Sequence, residues 1–303
     1  MDYLYYPGCS LKSTGRPYDE SIRAVFQALG LNLTEVEDWN CCGATAYMAV
    51  NELKAYALAS RNLALSERQG TANDPKARPE VVVPCAACYL VLCKAQRYLA
   101  ESNGNAQKIR DALKVGGLKY KGKVKIRHPL DIFVNAVGLD TIKARVTKPL
   151  QGLRVASYYG CQIIRPYATF DDQTNPQSMD RLVEALGGEP VDWPLKTRCC
   201  GGSLTGTIEE VGLRLSYILL REAKKRGADV VITACPLCQF NLECYQDRMS
   251  QRFEEPVELP VAFFTQLMGM AFGLPENELG LQRLFVPLRP AVAAQEGGQH
   301  VHA

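Results

Sequence analysis

The 303 residues carry 47% hydrophobic and 22% charged side chains, with 35 Lys and Arg against 32 Asp and Glu and a net charge of +3. That balance excludes a nucleic-acid binder working through a strong basic field, and it leaves enough apolar content for one large domain or two ordinary ones. No run of 18 apolar residues marks a membrane span. The opening MDYLYYPGCSLKSTGR lacks the basic-then-apolar order of a secretory signal. The twelve cysteines are the departure from average. A chain of this kind is expected in the cytoplasm, where clustered thiols bind metal or do redox chemistry instead of forming structural disulfides.

In chain order, β-rich runs alternate with helical periodicity. DYLYYPG leads into Cys9, and a helix is expected over residues 18–29. Asp38-Trp39 precedes Cys41-Cys42-Gly43, and a helix is expected over residues 45–68. EVVVP leads into Cys85-x-x-Cys88, and VKIRHPLDIFVNAVGL reads as a strand running into a helix that ends at Leu139. RVASYYG then leads into Cys161, followed by a helix over residues 178–186. Asp192-Trp193 precedes Cys199-Cys200-Gly201, with a helix over residues 208–226. DVVITA leads into Cys235-x-x-Cys238, and VELPVAFFTQLMGMAFGL mirrors the earlier strand-to-helix run, ending at Leu274.

The chain is therefore a repeat. Each half reads C…CCG…CxxC, with intervals of 31 and 42 residues in the first half and 37 and 34 in the second. Tyr5-Tyr6-Pro7-Gly8-Cys9 answers Tyr158-Tyr159-Gly160-Cys161. The surplus in the first half falls in residues 71–78, a polar, proline-containing stretch expected as a surface loop. The expected organisation is a first repeat over 1–150, a second over 151–285 and a disordered tail over 286–303. The expected class is α/β: two pseudo-symmetric repeats, each a small, mostly parallel sheet flanked by helices. Parallel strands put Cys9, Cys85, Cys161 and Cys235 at their C-terminal edge, where open α/β sheets bind ligands.

Structural zinc takes four ligands in a tetrahedron. Five cysteines per half is one too many, and adjacent Cys41 and Cys42 fit poorly into one small tetrahedron. Soft thiolates around several irons relax both constraints. Iron–sulfur therefore leads, with zinc and a dithiol redox site still open. Glycines at 43, 201 and 202 permit tight turns, and helix starts beside CCG and CxxC favour thiolate.

The duplicated C…CCG…CxxC pattern, nearly to Phe285, resembles the CCG-domain family and, within it, the B subunit of heterodisulfide reductase. That resemblance implies a non-cubane 4Fe–4S cluster in each half. The first would be held by Cys9, Cys41, Cys42, Cys85 and Cys88, the second by Cys161, Cys199, Cys200, Cys235 and Cys238. It implies an oxidoreductase that reduces a disulfide between the two clusters, or in reverse oxidises thiols or sulfane sulfur, the thiol or disulfide being small or protein-bound. The partners it implies within the same complex are a ferredoxin-like C subunit, together with a flavin-bearing A subunit. No G-x-G-x-x-G follows a strand, so no nicotinamide or flavin is expected on this chain. Two rival readings stay open: a CCG-type electron-transfer subunit of a 2-hydroxy-acid or glycerol-phosphate oxidising system, and a zinc-stabilised scaffold.

Counting back from the matched Gly-Leu pairs puts His128 opposite Phe263. A residue that breaks the repeat is a candidate proton donor to a leaving thiolate, against the plain alternative of a ring satisfied by backbone. Cys93 and Cys244 read better as packed thiols than as spare ligands. Trp39 and Trp193 could shield a centre from water or simply pack. Lys12, Arg16 and Arg165 could attract an anionic thiol, against a default of solvated loop charges. His300 and His302 fall in the tail and carry no expected role.

Overall fold

The computed structural model describes residues 1–44, 46–101 and 104–288. Most of the expected tail, residues 289–303 with His300 and His302, lies outside the described residues.

β1 (Asp2–Tyr5), β2 (Asn32–Glu35), β3 (Glu80–Val82) and β4 (Lys125–Arg127) form one sheet in the order β2-β1-β3-β4, all parallel. β5 (Arg154–Tyr158), β6 (Glu189–Pro190), β7 (Val230–Thr233) and β8 (Val261–Phe263) form a second, in the matching order β6-β5-β7-β8, again all parallel. The expected α/β class with pseudo-symmetric repeats is what the chain adopts. β7 is buried along its whole length and β5 along all but its first residue, as strands covered by helices on both faces must be.

In each sheet the connections reverse direction between the two central strands, β1 and β3 in one and β5 and β7 in the other. Such a switch point opens a crevice at the strand C-termini. Cys9 and Cys85 follow β1 and β3, while Cys161 and Cys235 follow β5 and β7. Val82 and Ile232, each three residues before the first cysteine of its CxxC, pair with Arg127 and Ala262, so the next residues, His128 and Phe263, fall at matching positions.

The helix expected over 45–68 is broken. Ala46–Val50 and Glu52–Gly70 are separate, because Asn51 leaves helical geometry and its side chain accepts from Lys54 N at 3.0 Å. The other three expected helices are Arg16–Ala28, Ser178–Ala185 and Glu209–Lys225. The run after His128 is a short turn, a π-helix over Ile132–Gly138 and the helix Leu139–Arg145, where one α-helix was expected. Residues 71–78 are an irregular, largely exposed loop.

The chain divides into two compact units that do not follow the repeat boundary near 150. One comprises Met1–Ser13 with Gly30–Pro129; the other comprises Thr14–Leu29 and everything from Leu130 onward. The cause is the apolar face of Arg16–Ala28. Tyr18 stacks on Phe263 with ring centroids 4.3 Å apart, Phe26 packs on Phe133, and Ser21 shares a 2.6 Å hydrogen bond with Thr265.

Within the second unit, Glu243 ends the helix Pro236–Glu243 and holds the chain beyond the turn Leu281–Arg283. Its carboxylate accepts from Phe285 N at 2.9 Å and Val286 N at 3.4 Å, and from the Gln239 amide. Burial pushes its acid up to about 7, against the lowering effect of those donors. A raised acid keeps its proton in the folded state. The associated stability is full below the ordinary carboxylate range and is lost as pH rises through about 7. At ~1.4 kcal/mol per pH unit, its upper bound is about 3 kcal/mol. The thermal midpoint should therefore fall between about pH 5 and 8, and Glu243→Gln should flatten that fall; an unchanged pH profile in the variant would refute the assignment.

Candidate metal centres

β1 ends at Tyr5, and Pro7-Gly8 turns the chain into a short helix carrying Cys9. Gly8 sits at φ +69°, and a Cβ there would stand 3.0 Å from Cys88 Sγ. Cys85 is the N-cap residue of the helix Ala86–Ala100, so Cys88 lies in its first turn. Cys9 Sγ is 3.9 Å from Cys41 Sγ, and Cys42 Sγ is 3.1 Å from Cys88 Sγ. Cys41 also bonds to Cys42, and Cys88 to Cys85. All five sulfurs of the first unit thus form one connected chain, Cys9–Cys41–Cys42–Cys88–Cys85.

The second unit repeats the arrangement link for link. Cys161 bonds to Cys199, Cys199 to Cys200, Cys200 to Cys238 at 3.6 Å, and Cys238 to Cys235. Cys235 caps the helix Pro236–Glu243. Gly160, at φ +67°, would meet Cys238 Sγ at 3.2 Å if it carried a Cβ. In each unit a glycine is needed both for the turn and for the close approach to sulfur.

Crowding governs ionisation. Thiol hydrogen bonds from Cys41 and Cys88 pull Cys42 down to about 4, while Cys41 and Cys88 are driven up by donating to their neighbours and by burial. In the second unit the thiols of Cys161 and Cys200 pull Cys199 down; Cys161 and Cys238 rise, and Cys200 is pushed up to about 11. Stripping the remaining protons from five packed sulfurs demands strong positive charge among them. Backbone N–H groups also point at sulfur, Ala44 N to Cys42 at 3.4 Å and Gly201 N to Cys199 at 3.3 Å. Among the described residues, no group of three or more Cys, His, Asp or Glu is placed to hold a single metal ion. The donor set fits a polynuclear, thiolate-ligated group, which spreads its ligands over several metals.

The cysteine-rich domain family CCG matches residues 3–93 and 155–243. The chain belongs to the CCG family. It is 34% identical to the 8-methylmenaquinol:fumarate reductase membrane anchor subunit of Wolinella succinogenes, over 92% of this chain and 95% of that protein. It is 28% identical to the B subunit of the ferredoxin/F(420)H(2)-dependent CoB-CoM heterodisulfide reductase of Methanosarcina acetivorans, over 92% and 91%. A protein of Archaeoglobus profundus described as like the heterodisulfide reductase B subunit is also 28% identical, over 93% and 94%. The similarity to that B subunit expected from the motifs is thus present along most of the chain. A hypothetical protein from Helicobacter pylori shares the fold, with a TM-score of 0.75 at 14% identity; this chain spans about half of it (94% of this chain, 52% of that one). Among the described residues, no helix is long and apolar enough to cross a membrane.

Each CCG unit braces its paired cysteines with a tyrosine whose role was not legible in the sequence. Tyr6 and Tyr158 each stand three residues before the first cysteine of their unit. The Tyr6 hydroxyl donates to Asn40 O at 2.8 Å and the Tyr158 hydroxyl to Arg198 O at 2.7 Å, in each case the residue just before the cysteine pair. Burial, then the nearby sulfurs, keep both phenols protonated. The tryptophans back these rings. Trp39 meets Tyr6 edge-on at 5.6 Å, and Trp193 packs on Tyr158 at 6.1 Å while donating to Ser157 O. Repetition of YY before each cysteine was the available signal; the bond to a distant carbonyl was not.

The remaining candidates fall outside the sulfur chains. His128 is fully buried, with Nε2 3.0 Å from the carbonyl of Pro84, the residue before Cys85, and its ring meets Tyr89 edge-on. Cys93 and Cys244 are partly buried, and burial pushes both up to about 12, so both stay thiols at neutral pH. Lys12 pairs with Glu35 at 2.8 Å, Arg16 with Glu20 at 2.9 Å, and Arg165 donates to Thr197 O.

Proposed function

We propose that the chain is an iron–sulfur subunit of an oxidoreductase of the heterodisulfide reductase type, with one non-cubane 4Fe–4S cluster per CCG unit. The observation that carries this reading is the identical five-sulfur chain in both units. Cys9, Cys41, Cys42, Cys85 and Cys88 would hold one group, and Cys161, Cys199, Cys200, Cys235 and Cys238 the other. When bound, such a group supplies one electron at a time to sulfur chemistry. A disulfide needs two electrons and two protons to become two thiols, and two such units match that count.

In this reading the residues of the chain divide the work. The cysteines ligate. Tyr6 and Tyr158 fix the loops that present the cysteine pairs, and Gly8 and Gly160 let backbone pass close to Cys88 and Cys238. His128, its Nε2–H donating to the Pro84 carbonyl, holds the turn that starts Cys85. We assign electron supply to partners in the same complex, one ferredoxin-like and one flavin-bearing. We place the chain in the cytoplasm, where twelve clustered thiols are kept reduced and available to bind metal. The similarity to a protein named for quinol and fumarate favours one second reading, an electron relay that never touches a thiol.

Paramagnetic resonance of the anaerobic chain, poised at stepwise oxidising potentials by a mediator-coupled electrode in the presence of 2-mercaptoethanol or 2-mercaptoethanesulfonate, separates the two readings. Thiol chemistry at the centres should produce a signal that depends on the added thiol. Iron signals indifferent to both thiols would leave the relay.

A further inference from the structure

The two units match closely at their sulfurs, but one buried side chain breaks the match. Asn241 and Val91 are both the third residue after the last cysteine of their CxxC motif, in helices that begin at that motif. Asn241 is fully buried. Its Oδ1 accepts from Thr205 Oγ1 at 2.8 Å; its Nδ2 donates to Gly202 O at 2.8 Å and to Cys200 Sγ at 3.4 Å. Turning the amide over would set two acceptor oxygens, Asn241 Oδ1 and Gly202 O, against each other, so the N–H side is locked toward sulfur. Val91, equally in the core, has nothing to donate.

The competing influences on these sulfurs nearly cancel between units. Cys42 is 2% exposed and its counterpart Cys200 3%; Cys85 and Cys235 are each 5%. Desolvation therefore does not separate these four, although Cys9 is exposed where its counterpart Cys161 is half-buried. Each unit also aims backbone N–H groups at both members of its cysteine pair: Gly43 at Cys41 and Ala44 at Cys42 in the first, Gly201 at Cys199 and Gly202 at Cys200 in the second. What remains is the Asn241 amide, together with the positive field of Arg165 at Cys199. An N–H dipole aimed at a ligating sulfur stabilises the electron-rich, reduced form and raises the reduction potential.

We propose that Asn241 makes the two centres inequivalent, giving the centre of the second unit the higher reduction potential so that an entering electron settles there first. Asn241 acts on the centre through Cys200 and is a positioning residue for electrons. This inference rests on the iron–sulfur reading above. The test is a potentiometric titration of the full-length anaerobic protein followed by paramagnetic resonance. The wild type should show two separate midpoints. The double variant Asn241→Val, Thr205→Val makes position 241 match Val91 and removes the hydroxyl that would be stranded. It should lower the higher midpoint and leave the other in place. Asn241→Asp, which keeps the shape but loses the donated N–H, should lower the same midpoint and serves if the double variant does not hold iron. A single shared midpoint in the wild type overturns the proposal. So do unmoved midpoints or equal shifts in an iron-replete variant, and so does loss of iron by both variants, which would make Asn241 a support and not a tuner. A wild-type chain without iron is a different failure, that of the function itself.

Discussion

Cys88→Ser should lower bound iron from about eight to about four per chain, leaving the second unit loaded. Cys88 is the link through which the first unit's sulfurs connect: 3.1 Å from Cys42, bonded to Cys85, and beneath the Gly8 turn. Serine keeps the shape but offers a hard oxygen that stays protonated where a soft thiolate is required. Disulfide turnover with an artificial one-electron donor should drop by more than about 100-fold, beyond what losing an outer-sphere partner costs. Cys93→Ser is the matched control on the same helix and should keep all the iron. A Cys88→Ser chain with full iron and full turnover would remove the first unit's centre from the account.

The second large effect is on stability. Lys196→Met should cost about 3–5 kcal/mol, a fall in thermal midpoint of about 10 °C at the ~2–4 °C per kcal/mol of larger domains. Lys196 Nζ lies 2.9 Å from Asp180 Oδ2, with the two side chains 7% and 8% exposed. Asp180 Oδ1 has no hydrogen-bond partner among the described residues, so loss of the ammonium strands a buried carboxylate. The damage should reach the sulfurs, because the Lys196 carbonyl accepts from Tyr159 N and Gly160 N, the two residues before Cys161. Removing both charges in Lys196→Met, Asp180→Leu should recover much of the loss. A double variant as unstable as the single one would locate the cost in packing, not in charge.

The site was more legible in the sequence than the partition of the fold. Cysteine intervals and the strands before them are local features, so ten residues could be sorted five and five, and each set does come together. The α/β class followed from alternating periodicities for the same reason. The compact units were not legible. The apolar stripe of Tyr18, Ile22, Val25 and Phe26 announces that Arg16–Ala28 must be covered, but not that Phe263, more than 230 residues later, covers it. The break at Asn51 was masked by helix-forming neighbours on both sides and was decided by one cap. Asn241 was invisible, because its meaning depends on which sulfur its amide faces and on what stands at the matched position in the other repeat.

The most direct test of the central claim is metal and acid-labile sulfide analysis of the full-length chain purified without oxygen. About eight irons with about eight sulfides per chain is the result this account requires. Zinc in place of iron, or iron without labile sulfide, would contradict it.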